Sequence, residues 1–143
     1  MPYTYLEESA VADIAFEAAG GTLEELFQSA ADAVTNVMVE ELDTITFKES
    51  RTFNEENKAI DLLLFDFLQE IIYYKDSEQL MLRAPEVKIE ETGKAYRLTA
   101  KFKGEALDPK KHEQRVDVKA VTLHQFSVEK AGEGWAAHVI LDI

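Results

Sequence analysis

Val116-Asp117-Val118-Lys119-Ala120-Val121-Thr122-Leu123-His124 opens the last stretch of the chain, and Trp135-Ala136-Ala137-His138-Val139-Ile140-Leu141-Asp142-Ile143 closes it. Both runs are rich in β-branched residues, Val and Thr in the first and Val and Ile in the second, so both read as strands. The first continues over 116–129. Lys130-Ala131-Gly132-Glu133-Gly134 between them reads as a turn. The second strand ends on Asp142, and the α-carboxylate of Ile143 follows at once. Two negative groups so placed repel unless a cation or a basic group sits between them. The rest of the chain is expected to supply a scaffold and the other half of that site.

Working outward, Tyr3-Thr4-Tyr5-Leu6 reads as a short strand broken by Glu7-Glu8-Ser9. Ala12-Asp13-Ile14-Ala15-Phe16-Glu17-Ala18 alternates, which puts Ile14, Phe16 and Ala18 on one face and Asp13, Ala15 and Glu17 on the other. Thr22-Leu23-Glu24-Glu25 is a capping box. It starts a helix to about Val39, with Leu23, Leu26, Phe27, Ala30, Ala31, Val34, Val37 and Met38 on its apolar face. Glu24, Gln28, Asp32 and Asn36 form the opposite face. Residues 43–53 read as a strand, and Asn54-Glu55-Glu56-Asn57 as a polar break that caps a second helix over 58–75. That helix is apolar nearly all round, which predicts a central position. Asp66 and Glu70 share one of its faces as a solvated stripe. Gln79-Leu80-Met81-Leu82 reads as a strand. Val87-Lys88-Ile89-Glu90 and Tyr96-Arg97-Leu98-Thr99-Ala100-Lys101-Phe102 read as a hairpin around Gly93. Residues 104–115 form a polar loop or a short helix from Pro109. Two helices and about seven strands without βαβ alternation predict an α+β fold. It is a single domain over 1–143, with the helices packed on a mostly antiparallel or mixed sheet.

Composition narrows the classes. The 143 residues hold no cysteine, which excludes disulfides and thiolate metal sites. Fifteen basic against 28 acidic residues give a net charge of −13. Such a surface repels phosphate backbones, so no direct nucleic-acid binding is expected, and a cation or a basic protein is the better partner. The first twenty residues carry no Lys or Arg, unlike a signal or transit peptide. The apolar run over 59–74 is interrupted by Asp61, Asp66, Gln69 and Glu70, so no membrane span is expected. A cytoplasmic monomer or weak oligomer follows.

The sequence holds no Gly-rich phosphate loop, no nucleophile elbow and no His-Glu-x-x-His, so nothing marks an enzyme. His112 lies in the polar stretch. His124 alternates with Val118, Ala120, Thr122 and Phe126, which reads as a satisfied, half-buried histidine. His138 shares a face with Asp142, but four residues of strand separate them by roughly 13 Å, too far for co-ligands. Asp13 and Asp142 each sit at a strand end beside apolar residues, where an unpaired charge is costly. Joined with a backbone or terminal oxygen, they suit a hard divalent cation such as Ca²⁺, Mg²⁺ or Mn²⁺. Spacing alone does not make the two strands neighbours.

Four segments carry a resemblance. They are the run from Ala12 to Ala18 with Thr22-Leu23-Glu24-Glu25-Leu26-Phe27, then Phe67-Leu68-Gln69-Glu70-Ile71-Ile72-Tyr73, then His112 followed by Val118-Lys119-Ala120-Val121-Thr122-Leu123-His124, and Trp135 with the closing Leu141-Asp142-Ile143. In order and spacing the chain resembles the archease family along nearly its whole length. The resemblance implies a non-catalytic accessory protein that promotes guanylylation and multiple turnover of the GTP-dependent, RtcB-type RNA ligase of tRNA splicing. It implies metal-binding roles for Asp13, Asp142 and Ile143, and places Glu70, Lys119 and His124 nearby. Many members read Asp-His-Thr-Ala-Asp before the second strand. Here Glu7-Glu8-Ser9-Ala10-Val11-Ala12-Asp13 keeps the final acid and lacks the His and Thr. The rival readings are a chaperone-like or general protein-binding module, and a small hydrolase with Asp13, Glu70 or His124 as base.

Overall fold

In the computed structural model, which describes residues 2–6 and 12–143, the elements run β1 (Tyr3–Tyr5), β2 (Asp13–Gly20), α1 (Leu23–Met38), β3 (Glu49–Asn57), α2 (Ile60–Glu78), β4 (Leu80–Thr92), β5 (Ala95–Ala106), β6 (Ala120–Ala131) and β7 (Gly134–Asp142). The expected break at Glu7-Glu8-Ser9 lies outside the described residues. The strands form two sheets, β1-β2-β7-β6 and β3-β5-β4, and every pairing is antiparallel. The α+β expectation holds, with two antiparallel sheets in place of one mixed sheet.

The helix α1 forms where its apolar spacing places it. Thr22 Oγ1 accepts from Glu25 N (3.1 Å), and the Glu25 carboxylate reaches back to Gly21 N (3.2 Å). A cap of this kind contributes about 1 kcal/mol. The eight apolar positions of α1 are all buried. Its polar stripe is not idle. Glu24 accepts from Ile89 N, Gln28 donates to Ala84 O and Pro85 O, and Asp32 takes Arg83 through two bonds of 2.9 and 3.0 Å. Those partners lie on β4, an edge strand, so α1 seals an edge that would otherwise expose free backbone groups.

The other helix, α2, is central as expected. It touches β3, β4 and β5 of one sheet, β6 of the other, and α1. Its Phe67 sits between Phe27 of α1 (ring centroids 5.3 Å apart) and Phe102 of β5 (5.1 Å, stacked). All three rings are fully buried. The helix runs to Glu78, three residues beyond the expected end near Lys75, and is closed by Gln79 in a left-handed conformation (φ 56°).

Several expected elements shift. The strand read over 43–53 lies instead at Glu49–Asn57, after a short 3₁₀ turn at Leu42–Thr44. The chain at Thr46 is held by a side chain, with Thr46 N donating to Glu105 Oε2 (2.8 Å), so it does not extend into a sheet there. The polar residues 54–57 belong to β3, an edge strand whose inward positions are only half-buried. Asn57 Oδ1 accepts from Ala59 N (3.0 Å), which turns the chain toward α2, but the N-cap is Ala59 and the expected side-chain cap from 54–57 does not form. The two short strands expected at 79–82 and 87–90 are one strand, β4, bulged between Arg83 and Glu86 where Pro85 offers no N–H. Gly104 is required beside it, because a Cβ there would lie 1.8 Å from Met81 O.

No helix starts at Pro109. A single turn forms as His112 N donates to Asp108 O (2.7 Å), and the ring of His112 then goes into the interior. Its Nδ1 accepts from Asp108 N, so Nε2 carries the proton and donates to Glu105 Oε2 (2.9 Å). Glu105 also takes Lys111 Nζ (2.6 Å). Burial pushes the Glu105 carboxyl up, but Lys111, Thr46 N and His112 outweigh it and hold it at about 2. The polar stretch is thus stapled to the core by a buried carboxylate.

Candidate functional site

Asp13 of β2 and Asp142 of β7 are directly opposite each other in the register of the four-stranded sheet. The hydrogen bond from Ile143 N to Ala12 O (2.9 Å) joins the residues flanking them. That marks Asp13–Asp142 as a non-hydrogen-bonded pair, the closer kind, with Cα atoms about 4.5 Å apart and both side chains on one face. Phe16, Ala18, Ala137, Val139 and Leu141 are buried on the inner face, so alternation sends both acids to the outer face, which the helices leave uncovered. Both acids are half-buried. Among the described residues neither forms an ion pair with a Lys, Arg or His.

The end of β7 is gripped from both sides. Ile143 N binds β2, while Asp142 O accepts from Lys119 N (2.8 Å), just before β6. The Ile143 side chain packs on the core. Among the described residues no three His, Asp or Glu side chains gather into a metal cage. Among the described residues this end of the sheet offers two carboxylates and nearby main-chain oxygens, a set of hard donors suited to a divalent cation that keeps part of its water shell.

The other expected neighbours divide. Lys119 is exposed and lies beside Asp142 through its backbone. His124 is exposed, not half-buried. Between Thr122 and Ser127 the β6–β7 register shifts, and the four intervening residues of β6 face a single residue of β7. His124 stands in that bulge, next to Gln125 in a left-handed conformation (φ 53°). His138 secures the bulge by donating from Nδ1 to Gln125 O (2.9 Å), and Phe126 packs edge-on against Phe65 of α2.

Glu70 lies on the flank of α2 that faces β3. It is half-buried rather than fully solvated, and burial raises its carboxyl. There, Glu55 is raised to about 7, first by burial, then by a hydrogen bond with Asp66 and by the charges of Asp66 and Glu70. Glu55 Oε2 is buried without a donor in reach. A proton held by Glu55 and directed at Asp66 accounts for both observations. The polar residue of α2 that bonds to the backbone of β6 is the neighbour of Glu70. Gln69 Oε1 accepts from Val121 N (2.8 Å).

The profile of the Archease protein family (MTH1598/TM1083) matches residues 3–143. The chain belongs to the archease family. It is similar to the protein archease of Pyrococcus abyssi, 42% identical over 133 residues, spanning 92% of this chain and 93% of that protein. Its fold is similar to the solution structure of Methanobacterium thermoautotrophicum protein 1598, with TM-score 0.84, 31% identity and 99% of each chain covered. It is also similar to the crystal structure of an archease from Thermotoga maritima described as a possible chaperone, with TM-score 0.64, 22% identity and 96% of each chain covered, a likeness of fold alone. The described archease chain has no helix long and apolar enough to cross a membrane.

Two residues around this archease site escaped the sequence reading. Gln69 appears as one polar interruption in an apolar helix, and Lys75 as the point where that helix was expected to end. Lys75 is buried, with Nζ donating to Asp117 Oδ1 (2.8 Å), Val118 O (2.7 Å) and Asp76. A lone base closing an apolar helix is the only signal the sequence offers for it.

Proposed function

We propose that this archease is an accessory protein for a GTP-dependent, RtcB-type RNA ligase. It promotes guanylylation and multiple turnover of that enzyme, without a covalent step of its own. Asp13, Asp142 and an oxygen of Ile143 hold a divalent cation, Ca²⁺, Mg²⁺ or Mn²⁺, at the end of the four-stranded sheet where β2 begins and β7 closes. The observation that carries this reading is the pairing of Asp13 with Asp142 in the register. Two like charges so close, with no basic side chain paired to either among the described residues, call for a cation. When bound, the cation supplies charge neutralisation to a phosphate oxygen of the nucleotide. The chain's own residues fix the two carboxylates on facing strands and present Lys119 alongside. The net charge of −13 suits docking to a basic surface of the ligase.

The test is guanylylation of the cognate ligase by GTP and Mn²⁺, with wild type beside Asp142→Ala. Wild type accelerates the reaction, and the variant does not while keeping its circular dichroism spectrum. A variant that loses its fold gives Asp142 a structural role instead. The description of the Thermotoga maritima relative as a possible chaperone favours a second reading, a protein-binding module. That module would tolerate loss of both Asp13 and Asp142.

A further inference from the structure

The backbone around Lys119 is held more tightly than an exposed segment ahead of an edge strand needs. Val118 and Val121 are both buried, three residues apart, which breaks the two-residue alternation of a strand. Lys119, between them, faces solvent. The departure has a visible cause. Lys75 takes Val118 O and Asp117 with its ammonium, and Gln69 takes Val121 N with its amide oxygen. The two α2 residues are six apart, and the segment they bracket is 117–121. In the middle of that bracket Lys119 N donates to Asp142 O. Burial works against the Lys75 charge, but its bonds to Asp117 and Asp76 outweigh it and keep the ammonium above its ordinary range. All three donors of that ammonium are used.

We propose that Gln69 and Lys75 are positioning residues, a clamp from α2 that fixes Lys119 against Asp142 and so sets the grip of the Asp13–Asp142 pair on its cation. The inference rests on the cation reading above. Neither residue touches the cation. Each acts through the backbone of 117–121, as residues behind a ligand shell orient the ligands in front. Gln69 also covers the open edge of β6 at Val121, whose N–H it accepts.

The experiment has two arms on the full chain. The first follows amide hydrogen exchange by nuclear magnetic resonance. Gln69→Leu and Lys75→Met speed exchange at Lys119 on the order of tenfold, while the amide of Phe102 in the central strand β5 stays protected. Gln69→Glu, which keeps the acceptor, and Lys75→Arg, which keeps the donors, restore protection at Lys119. The second arm measures Mn²⁺ binding by calorimetry, where Lys75→Met weakens binding on the order of tenfold and Lys75→Arg does not. Unchanged exchange at Lys119 in Gln69→Leu and Lys75→Met overturns the clamp. So does acceleration that includes Phe102, which would reveal only global destabilisation. Failure of wild type to bind Mn²⁺ sinks the cation reading and the tuning of its site. The exchange arm then still decides whether the clamp exists.

Discussion

Replacing Asp13 with Asn should make the metal-free protein more stable and the metal-bound protein less so. No Lys or Arg precedes Lys48, so β2 has no cation of its own nearby in sequence. The pairing with Asp142 therefore sets two negative groups against each other. Taking their separation as about 5 Å, from the spacing of a non-hydrogen-bonded pair, the repulsion is about 0.8 kcal/mol at the permittivity of water. Half-burial raises it to about 1–2 kcal/mol at an effective permittivity near 40. Asp13→Asn removes that term and keeps the shape. In excess chelator its melting temperature should rise by about 3–6 °C for a chain of this size. In millimolar Ca²⁺ or Mn²⁺ the order reverses, because bound cation stabilises wild type by RT ln(1 + [L]/Kd) and the variant has lost half of the site. Differential scanning calorimetry in both buffers, repeated in 1 M NaCl to shrink the repulsion, measures this directly. A variant less stable than wild type in chelator refutes the reasoning, since Asp13 would then be held by a partner within the chain.

Three further outcomes follow from the interior. Phe67→Ala removes the ring stacked between Phe27 and Phe102 and should cost about 3–5 kcal/mol, read from the guanidinium midpoint. Glu105, held at about 2, contributes stability that is full above its unfolded value near 4.5 and fades as pH falls toward 2. The gap between wild type and Glu105→Gln in urea unfolding should therefore close between pH 5 and pH 2. Glu55 has the opposite sign. Raised to about 7, it favours the folded state at low pH, and that contribution is lost as pH rises from about 4.5 through 7. Glu55→Gln should flatten this decline, and an unchanged slope over that range would refute the raised carboxyl of Glu55.

The clearest elements in the sequence are those whose pattern is regular. The helix α1 needs only a cap and one apolar face, and β7 needs only alternation. β3 and β6 are harder because each is an edge strand whose pattern is not regular. In β3 an edge strand with half-buried inward positions is too polar to be read as a strand, and the more apolar Ile45–Phe47 stretch drew the assignment instead. In β6 strict alternation put Val118, Ala120, Thr122 and His124 on one face. Lys75 of α2 captures the chain at Val118, and a four-residue bulge resets the register after Thr122. Both events are long-range, so no local window contains them.

The same distinction governs the site. That Asp13 and Asp142 sit at strand ends beside apolar residues is legible residue by residue. That the strands are partners, in a register that sets one acid across from the other, was not, because 128 residues of chain separate them and only the sheet order closes that distance. Glu70 marks the other boundary. A helix turns about 100° per residue, so Glu70 and Gln69 cannot serve the same neighbour. With α2 packed against both sheets, one step in sequence decides whether a polar side chain meets the Glu55–Asp66 cluster or the strand that carries Lys119. A helix buried on several sides gives no outward face from which to tell the two apart. Its functional polar residue is found only by asking which backbone donor beside it would otherwise go unpaired, and that donor is Val121 N.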